Sequence, residues 1–357
     1  MLTLLLLLTD GPGQGGGIAR YNLDLLHALS LAPGVSQIHV LCRNGDAHAR
    51  VPEKVQSIAV RPGKIAFAST ALTMARTLPK TTLVFCGHVY LAPVALIITK
   101  LFGLRFWLQL HGIDAWSRPS KLRALACSHA SFVTAVSRYT RRRFLTWCPL
   151  PDDCVKVLPN TVNSAFQVLP ERKPAESCLR LLTVGRLAAG EAYKGQDRII
   201  KALPELIARS GSCRYQIVGQ GDDRARLVAL AANLEVTQSV EFLDNVSAAE
   251  LPNIYAQSDV FVMPSTGEGF GITFLEAMAS GLPALGFGVD GSVDPLAEGD
   301  LGWIATEDTL VDTILAAANG PRGSALASAT QARFGQPNFQ AHVAQLVRVF
   351  LGSRSFE

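Results

Sequence analysis

The sequence predicts two α/β domains, each an open, doubly wound parallel sheet, and three observations carry that expectation. The chain has 357 residues, more than one ordinary domain needs and enough for two of ~150–180 residues each. Short continuous apolar runs alternate with amphipathic stretches, the pattern of parallel strands covered by helices on both faces. The alternation stops after residue 158 and starts again near residue 179.

In the first half LTLLLLLT (2–9), QIHVLC (37–42), TTLVFCG (81–87), LRFWLQL (104–110) and ASFVTAV (130–136) read as strands. ARYNLDLLHALSL (19–31) and YLAPVALIITKLF (90–102) read as helices between them. The opening run lacks a basic region before it and a small-residue cleavage pattern after it, so it reads as a buried strand and not as a signal peptide. The apolar stretch 91–110 is broken by Lys100, Gly103 and Arg105, which makes it a helix followed by a strand and not a membrane span. Residues 159–177, rich in Pro, Ser and Asn, read as a linker.

The second half repeats the pattern with strands LRLLTVG (179–185), RYQIVGQG (214–221), SVEFLDN (239–245) and DVFVMP (259–264). Helices are expected over DRIIKALPELIAR (197–209), DDRARLVALAANL (222–234) and AAELPNIYAQ (248–257), with Ser247 and Glu250 as a capping box. The expected organisation is a first domain over 1–160, a linker over 161–178, a second domain over 179–335 and a terminal amphipathic helix within 336–357 that packs back on the first domain.

Apolar residues make up 48% and charged residues 17% of the chain, so both domains can bury a core and disorder is not indicated. The formal charge of +4 without a long Lys/Arg run suits an anionic substrate or an anionic membrane surface and gives no reason to expect nucleic acid. Seven scattered cysteines with no C-x-x-C support neither a disulfide framework nor a zinc site; they read as core residues in a reducing, cytoplasmic setting.

The segment DVFVMPSTGEGFGITFLEAMASGLP (259–283) carries the most chemistry: a strand enters a glycine-rich loop and then a helix. Backbone N–H groups of Phe270, Gly271 and Ile272 fall at that helix start and form an anion site. Glu268 precedes it in the loop and Glu276 follows on the helix, so one carboxylate can accept from sugar hydroxyls and the other from a ribose diol. Arg186 ends a strand and Lys194 precedes a helix; two cations at the carboxyl side of a sheet can neutralise a diphosphate leaving group. His111 ends another apolar run, a position that serves function or packing, and Asp114 is placed to cap the turn after it. The loop GPGQGGG (11–17) contains Gly11-x-Gly13-x-x-Gly16, formally a dinucleotide fingerprint. Pro12 sits awkwardly in it, and Cys42-Arg43-Asn44 stands where an acidic residue would meet a ribose. Gly16 and Gly17 therefore read as glycines that let a backbone amide approach a phosphate. Asp152–Asp153 and Asp222–Asp223 read as a loop pair and a helix-start pair, and no catalytic metal or other cofactor is expected.

EGFGITFLE (268–276) resembles the Glu-x7-Glu signature of the retaining GT-B glycosyltransferases of family 4. In the same order along the chain, GGGIARYNLDLLHAL, LHGID, AVSRYTRRRF, VLPNTVN and VGRL with YKGQD resemble that family's further motifs, with Thr161 and Asn163 replacing the usual Gly and Asp. The resemblance implies a GT-B fold with the active site in the cleft between the domains and metal-independent transfer, with retention, from a nucleoside-diphosphate sugar to a hydroxyl of a glycan or lipid-linked acceptor. It implies that Arg186 and Lys194 hold the donor diphosphate, that His111 touches the donor sugar or its departing phosphate, that Gly16 and Gly17 approach the donor phosphate, and that Arg138 faces the acceptor. GDP-mannose is the favoured donor and UDP-sugars the alternative. The competing readings are a nucleotide-sugar epimerase or hydrolase of the same fold, an NAD(P)-dependent oxidoreductase and a non-catalytic sugar binder. SRYTRRRFLTW (137–147), with Arg138, Arg141, Arg142 and Arg143 beside Tyr139, Phe144 and Trp147, has two readings: an ordinary amphipathic helix whose aromatics enter the core and whose arginines are solvated, or a helix whose aromatics and arginines meet an anionic bilayer on the inner face of the membrane.

Overall fold

The computed structural model describes residues 1–11, 15–45, 51–168 and 178–352. The chain divides into two units, Met1–Thr161 with Gln336–Glu357, and Val162–Gly335. Pro12 and Gly13 of the glycine-rich loop, and residues 169–177 of the expected linker, lie outside the described residues.

The first unit contains, in order, β1 (Leu2–Asp10), α1 (Gly17–Leu31), β2 (Val35–Asn44), β3 (Val55–Ile58), α2 (Lys64–Thr77), β4 (Leu83–Cys86) and α3 (Ala92–Phe102). There follow β5 (Arg105–Leu110), α4 (Ile113–Trp116), α5 (Lys121–Ser128), β6 (Phe132–Ala135), α6 (Arg138–Leu145) and β7 (Val155–Val157). All strand pairs are parallel, in the order β3-β2-β1-β4-β5-β6-β7. β1 lies between β2 and β4 and is buried from Leu2 to Thr9, which is why its sequence is a continuous apolar run and not an alternating one. α3 stops at Gly103, whose left-handed φ of 66° and amide bond to the Thr99 carbonyl close the last turn.

The second unit contains β8 (Leu179–Val184), α7 (Gln196–Ser210), β9 (Cys213–Val218), α8 (Arg224–Asn233), β10 (Val240–Leu243), α9 (Leu251–Ala256) and β11 (Val260–Met263). It continues with α10 (Ile272–Ala279), β12 (Ala284–Gly286), β13 (Trp303–Ile304), α11 (Leu310–Ala318) and α12 (Ser324–Phe334). Its sheet, again wholly parallel, has the order β10-β9-β8-β11-β12-β13. The Ser247–Glu250 box forms reciprocally: the Ser247 amide donates to Glu250 at 2.9 Å and the Glu250 amide to Ser247 Oγ at 3.3 Å.

In each sheet the strand order reverses once, between β1 and β4 in the first unit and between β8 and β11 in the second. The loops leaving the carboxyl ends of those strands diverge there and open a crevice for a ligand. The chain returns to the first unit in α13 (Gln336–Gly352), which packs on α1; Phe339 meets Tyr21 edge-on at 6.0 Å. Cys42, Cys86, Cys127, Cys148 and Cys213 are buried, as small apolar side chains would be.

Of the two readings of residues 137–147, the packing supports the amphipathic helix whose aromatics enter the core. On α6, Phe144 is fully buried, and Trp147 packs on it at 4.8 Å and donates to the Ala115 carbonyl. Tyr139 stacks edge-on against Trp116. Arg141 is tied to the Val155 carbonyl and Asp152, and Arg143 to the Trp116 carbonyl. Phe144 and Trp147 are thus taken up by their own unit, because helical periodicity tells which side chains share a face and not whether that face points inward.

Candidate active site

At the switch point of the second sheet, β8 leads through Gly185 into Arg186, and β11 leads into the loop that carries Glu268. A short 3-10 segment, Ala189–Lys194, joins β8 to α7. Gly195, which follows Lys194, has φ 83°, and a Cβ there would fall 2.4 Å from the Pro264 carbonyl oxygen. Only glycine allows the two loops to approach so closely, and the approach places Lys194 beside Glu268. The Lys194 ammonium lies 3.3 Å from Glu268 and 3.7 Å from Glu191. Arg186 is paired with the other oxygen of Glu191. Four charged groups thus form one chain, Arg186–Glu191–Lys194–Glu268. Lys194 and both glutamates are 14–18% exposed, whereas Arg186 is 77% exposed.

A buried carboxylate holds this loop in shape. Asp290 is fully buried and accepts from the Glu268 amide (2.6 Å), Ser265 Oγ (3.0 Å), the Ser292 amide (2.9 Å) and Ser292 Oγ (2.6 Å). Four donors satisfy a charge that would otherwise be costly to bury. Gly291 donates back to the Glu268 carbonyl at 2.8 Å and leaves no room for a Cβ, which would fall 2.0 Å from the Gly269 oxygen. Tyr193 closes over Gly267; burial, then the neighbouring glutamates, push its hydroxyl pKa up, so it stays protonated.

α10 starts after Gly271, whose φ is 91°. The amides of Phe270, Gly271, Ile272 and Thr273 donate to no backbone carbonyl among the described residues, so the positive end of the helix is available to an anion. The Phe270 side chain is buried against Phe334, leaving its amide as the part that can act. Glu276 accepts from the Tyr255 hydroxyl at 2.9 Å. Burial first, then Glu276, raises the Tyr255 pKa and keeps it a donor to that carboxylate.

In the first unit His111 follows β5. Its Nε2 lies 3.0 Å from the Gly87 carbonyl oxygen, which can only accept, so Nε2 carries the proton. Burial, then the neighbouring His88, pushes the His111 pKa down to about 3; the ring is neutral at pH 7. Tyr21 packs edge-on at 5.1 Å, and its hydroxyl starts a buried relay: Tyr21 and Thr134 both donate to Gln109 Oε1 (2.7 and 2.5 Å), and Trp107 Nε1 donates to Thr134 (2.6 Å). Asp114 Oδ1 accepts from the His111 amide at 3.2 Å and its other oxygen is 3.9 Å from His88. Gly16, at φ 106°, and Gly17 open α1 at the end of β1. Arg138 opens α6 behind the Ser137 cap and is exposed.

Within each unit the structure therefore brings residues named from the sequence together: Arg186, Lys194 and Glu268 in the second, His111 and Asp114 in the first. Sequence reasoning missed Glu191, Asp290 and Tyr193 in the second unit and His88 in the first. His88 ends β4 as His111 ends β5, and that shared strand-end position was the available signal.

Comparison with known proteins gives a consistent picture. Residues 178–319 match the family described as glycosyl transferases group 1, and residues 15–166 the one described as glycosyltransferase family 4. A GDP-mannose-dependent alpha-(1-6)-phosphatidylinositol monomannoside mannosyltransferase of Mycolicibacterium smegmatis is 34% identical over 208 residues, 53% of this chain and 52% of that protein. The protein of the same name in Mycobacterium tuberculosis H37Rv is 33% identical over 269 residues, 65% of this chain and 68% of that protein. The chain thus spans about half of the first relative and about two thirds of the second. Among solved structures, sucrose-phosphate synthase from Thermosynechococcus elongatus superimposes with a TM-score of 0.81 at 18% identity, over 99% of this chain and 100% of the other. Anabaena HepE in complex with UDP gives 0.74 at 18% identity, over 97% and 100%. At these identities the likeness is one of fold, the GT-B fold.

Proposed function

Because the chain belongs to the group 1 glycosyltransferases of family 4 and has the GT-B fold, we propose that it transfers a hexose, with retention, from a nucleoside-diphosphate sugar to a hydroxyl of a glycan or lipid-linked acceptor. GDP-mannose is the donor we favour, since the mycobacterial relatives are named as GDP-mannose-dependent mannosyltransferases.

The observation that carries the reading is the position of Lys194, 3.3 Å from Glu268 at the switch point of the second sheet. Lys194, Arg186 and the amides of Phe270, Gly271 and Ile272 take the diphosphate. Glu268 accepts from the sugar hydroxyls and Glu276 from the ribose. Gly16 and Gly17 bring a backbone amide to the donor phosphate, and Arg138 and Asp114 are assigned to the acceptor side. In the reaction the acceptor oxygen bonds to the anomeric carbon, the bond from that carbon to the phosphate oxygen breaks, and the acceptor proton passes to the departing phosphate oxygen. His111 is a poor candidate for the base, because a ring with a pKa of about 3 takes a proton from a hydroxyl weakly. We assign it instead to a neutral contact with the donor sugar through Nδ1. Cations and amides neutralise the leaving group, so the reaction needs no metal.

The test is turnover of a panel of GDP- and UDP-sugars, with and without excess EDTA, in the presence of extracted lipid acceptors. GDP release from GDP-mannose that survives EDTA, with an α-linked product, is expected. Failure to consume any nucleotide sugar would overturn the reading; loss of activity restored by magnesium or manganese would overturn its metal-independent mechanism, and a β-linked product its retention.

A further inference from the structure

Three cations of the first unit converge on one tyrosine two residues beyond His88, whose Nδ1 accepts from the tyrosine amide at 3.0 Å. Arg43 at the end of β2, Lys64 at the start of α2 and Arg123 on α5 lie 4.6, 5.6 and 4.7 Å from the centre of the Tyr90 ring. Tyr90 follows β4 in a 3-10 turn. No carboxylate among the described residues lies within ion-pair range of any of the three. The acidic residue nearest to Arg43 in sequence, Asp46, lies outside the described residues. Between Lys54 and Pro151 there are 14 Lys and Arg residues and one acidic residue, Asp114, whose half-buried carboxylate accepts from the His111 amide. Lys64 and the arginines also draw the Tyr90 hydroxyl pKa down, as expected of a phenol amid positive charge.

These residues line a cavity of about 280 Å³ whose other wall is apolar, formed by Phe67, Leu91, Pro93, Val94 and Leu122. The apolar surface continues outside it. On α3, Pro93, Ile97 and Leu101 follow one another at intervals of four and share a face; Ile97 is 50% and Leu101 65% exposed. Leu122 and Leu125 on α5 and Ile65 on α2 are exposed too, and α3 packs against both of those helices. Scattered exposed apolar side chains need no explanation, but a group on adjacent helices around a cationic pocket matches an amphiphile with an anionic head.

We propose that Arg43, Lys64 and Arg123 around Tyr90 form a seat for the phosphate of a membrane lipid, with Ile65, Ile97, Leu101, Leu122 and Leu125 meeting the acyl layer of the bilayer. Calling that lipid the acceptor rests on the glycosyltransferase reading; its binding does not. The seat moves the membrane contact from α6 to the surface formed by α2, α3 and α5.

The test uses the full chain in three forms: wild type, Arg43→Gln/Arg123→Gln and Leu101→Ser/Leu125→Ser, the two leucines being exposed and outside the cavity wall. Each is titrated with inositol 1-phosphate and glycerol 3-phosphate by calorimetry, and sedimented with phosphatidylcholine vesicles with and without phosphatidylinositol. The wild type should bind the phosphate esters and the phosphatidylinositol vesicles. The arginine variant should lose at least about tenfold on both, the cost of losing charge-assisted hydrogen bonds. The leucine variant should lose the vesicles and keep the esters. Far-UV circular dichroism and the melting curve should be equal in all three and thereby certify that the variants fold. Equal ester and vesicle binding by wild type and arginine variant would overturn the seat. Vesicle binding that only the leucine variant loses would also overturn it, leaving a purely apolar contact. Ester binding that neither variant changes would place the phosphate elsewhere. Should no nucleotide sugar turn over while these results hold, the glycosyltransferase reading would fail and the phosphate seat would stand.

Discussion

Lys194 is the residue whose removal separates the diphosphate reading most sharply from a structural one. Its ammonium is 14% exposed and faces Glu268 at 3.3 Å and Glu191 at 3.7 Å, while its aliphatic stem lies over Gly185. Lys194→Met keeps most of that stem and removes the charge. A net charge-assisted hydrogen bond contributes about 1.5–3 kcal/mol, which is roughly a 10- to 150-fold loss of GDP affinity. The upper end is expected, because Glu191 and Glu268 would then face the phosphates without the ammonium between them. Guanosine lacks the phosphates, and its binding should change by less than about 0.5 kcal/mol, as for a substitution away from its contacts. A second substitution sharpens the test. In Lys194→Met/Glu191→Gln one of the two repelling carboxylates is gone, so part of the GDP affinity should return, a coupling that a double-mutant cycle measures directly. Calorimetry with GDP and guanosine on the four proteins of the cycle provides the numbers. An equal loss for both ligands, or none for either, would refute the assignment of Lys194 to the diphosphate.

Glu268→Ala should lower turnover by about two to three orders of magnitude, as for loss of one preorganised polar contact, and near-wild-type turnover in the folded variant would remove Glu268 from the site. Asp290→Asn should lower the melting temperature by roughly 2–12 °C, since it turns an amide toward donors that a carboxylate satisfies and leaves buried groups unpaired at about 1–3 kcal/mol; an unchanged melting curve would mean that Asp290 does not hold the loop. His111 stays neutral when folded, with a pKa of about 3 against an ordinary 6.5, so below pH 6.5 the unfolded state binds the extra proton. Its contribution to stability is complete above pH 6.5 and declines as pH falls toward 3. His111→Gln should flatten that slope in pH-dependent melting curves, and an NMR titration placing the His111 pKa above 6 would contradict the burial argument.

The alternation of strand and helix was legible in both halves because strands buried on two faces must be apolar throughout, and such runs stand out in a chain that is otherwise amphipathic. β3, β7, β12 and β13 were not, being four, three, three and two residues long. α2 was missed because KIAFASTALTMART is built largely from Ala, Ser and Thr and presents only Phe67, Ala71 and Ala75 as buried residues, a stripe too faint to read by period. In the site, Arg186, Lys194 and Glu268 were legible because strand ends and glycine-rich turns mark where ligands bind in open sheets. Asp290 was not: it lies 22 residues beyond Glu268, and no local pattern distinguishes an aspartate buried to clamp a loop from one in a surface turn. Glu191 was missed for the converse reason, since an acidic residue between two expected cations reads as solvated until the fold places it between them. α6 shows a third limit, because its two readings, core or bilayer, could not be told apart by period alone. Its arginines and aromatics were read correctly as neighbours, but Phe144 and Trp147 complete a core, and the exposed apolar surface lies on elements that share no motif.

The arrangement of charge in the second unit also constrains how a donor could be taken. Arg186 and Lys194 are balanced by Glu191 and Glu268, so the four side chains carry no net charge with which to attract a diphosphate. Attraction must come from the amides at the start of α10, whose partial charge is fixed in place, and from an exchange of partners among the four. Such an exchange has a condition attached. If Lys194 turns from Glu268 to a phosphate, Glu268, only 18% exposed, loses its cation and needs other donors. On the proposed reading the sugar hydroxyls supply them. A nucleoside diphosphate without its sugar satisfies Lys194 and leaves Glu268 unpaired, whereas the intact donor satisfies both. Recognition of the phosphate and of the sugar are thereby coupled through one ion pair. On the same reading Arg186, exposed and paired among the described residues with Glu191, follows the phosphate as it departs, while the four hydrogen bonds to Asp290 hold the Glu268 loop in shape.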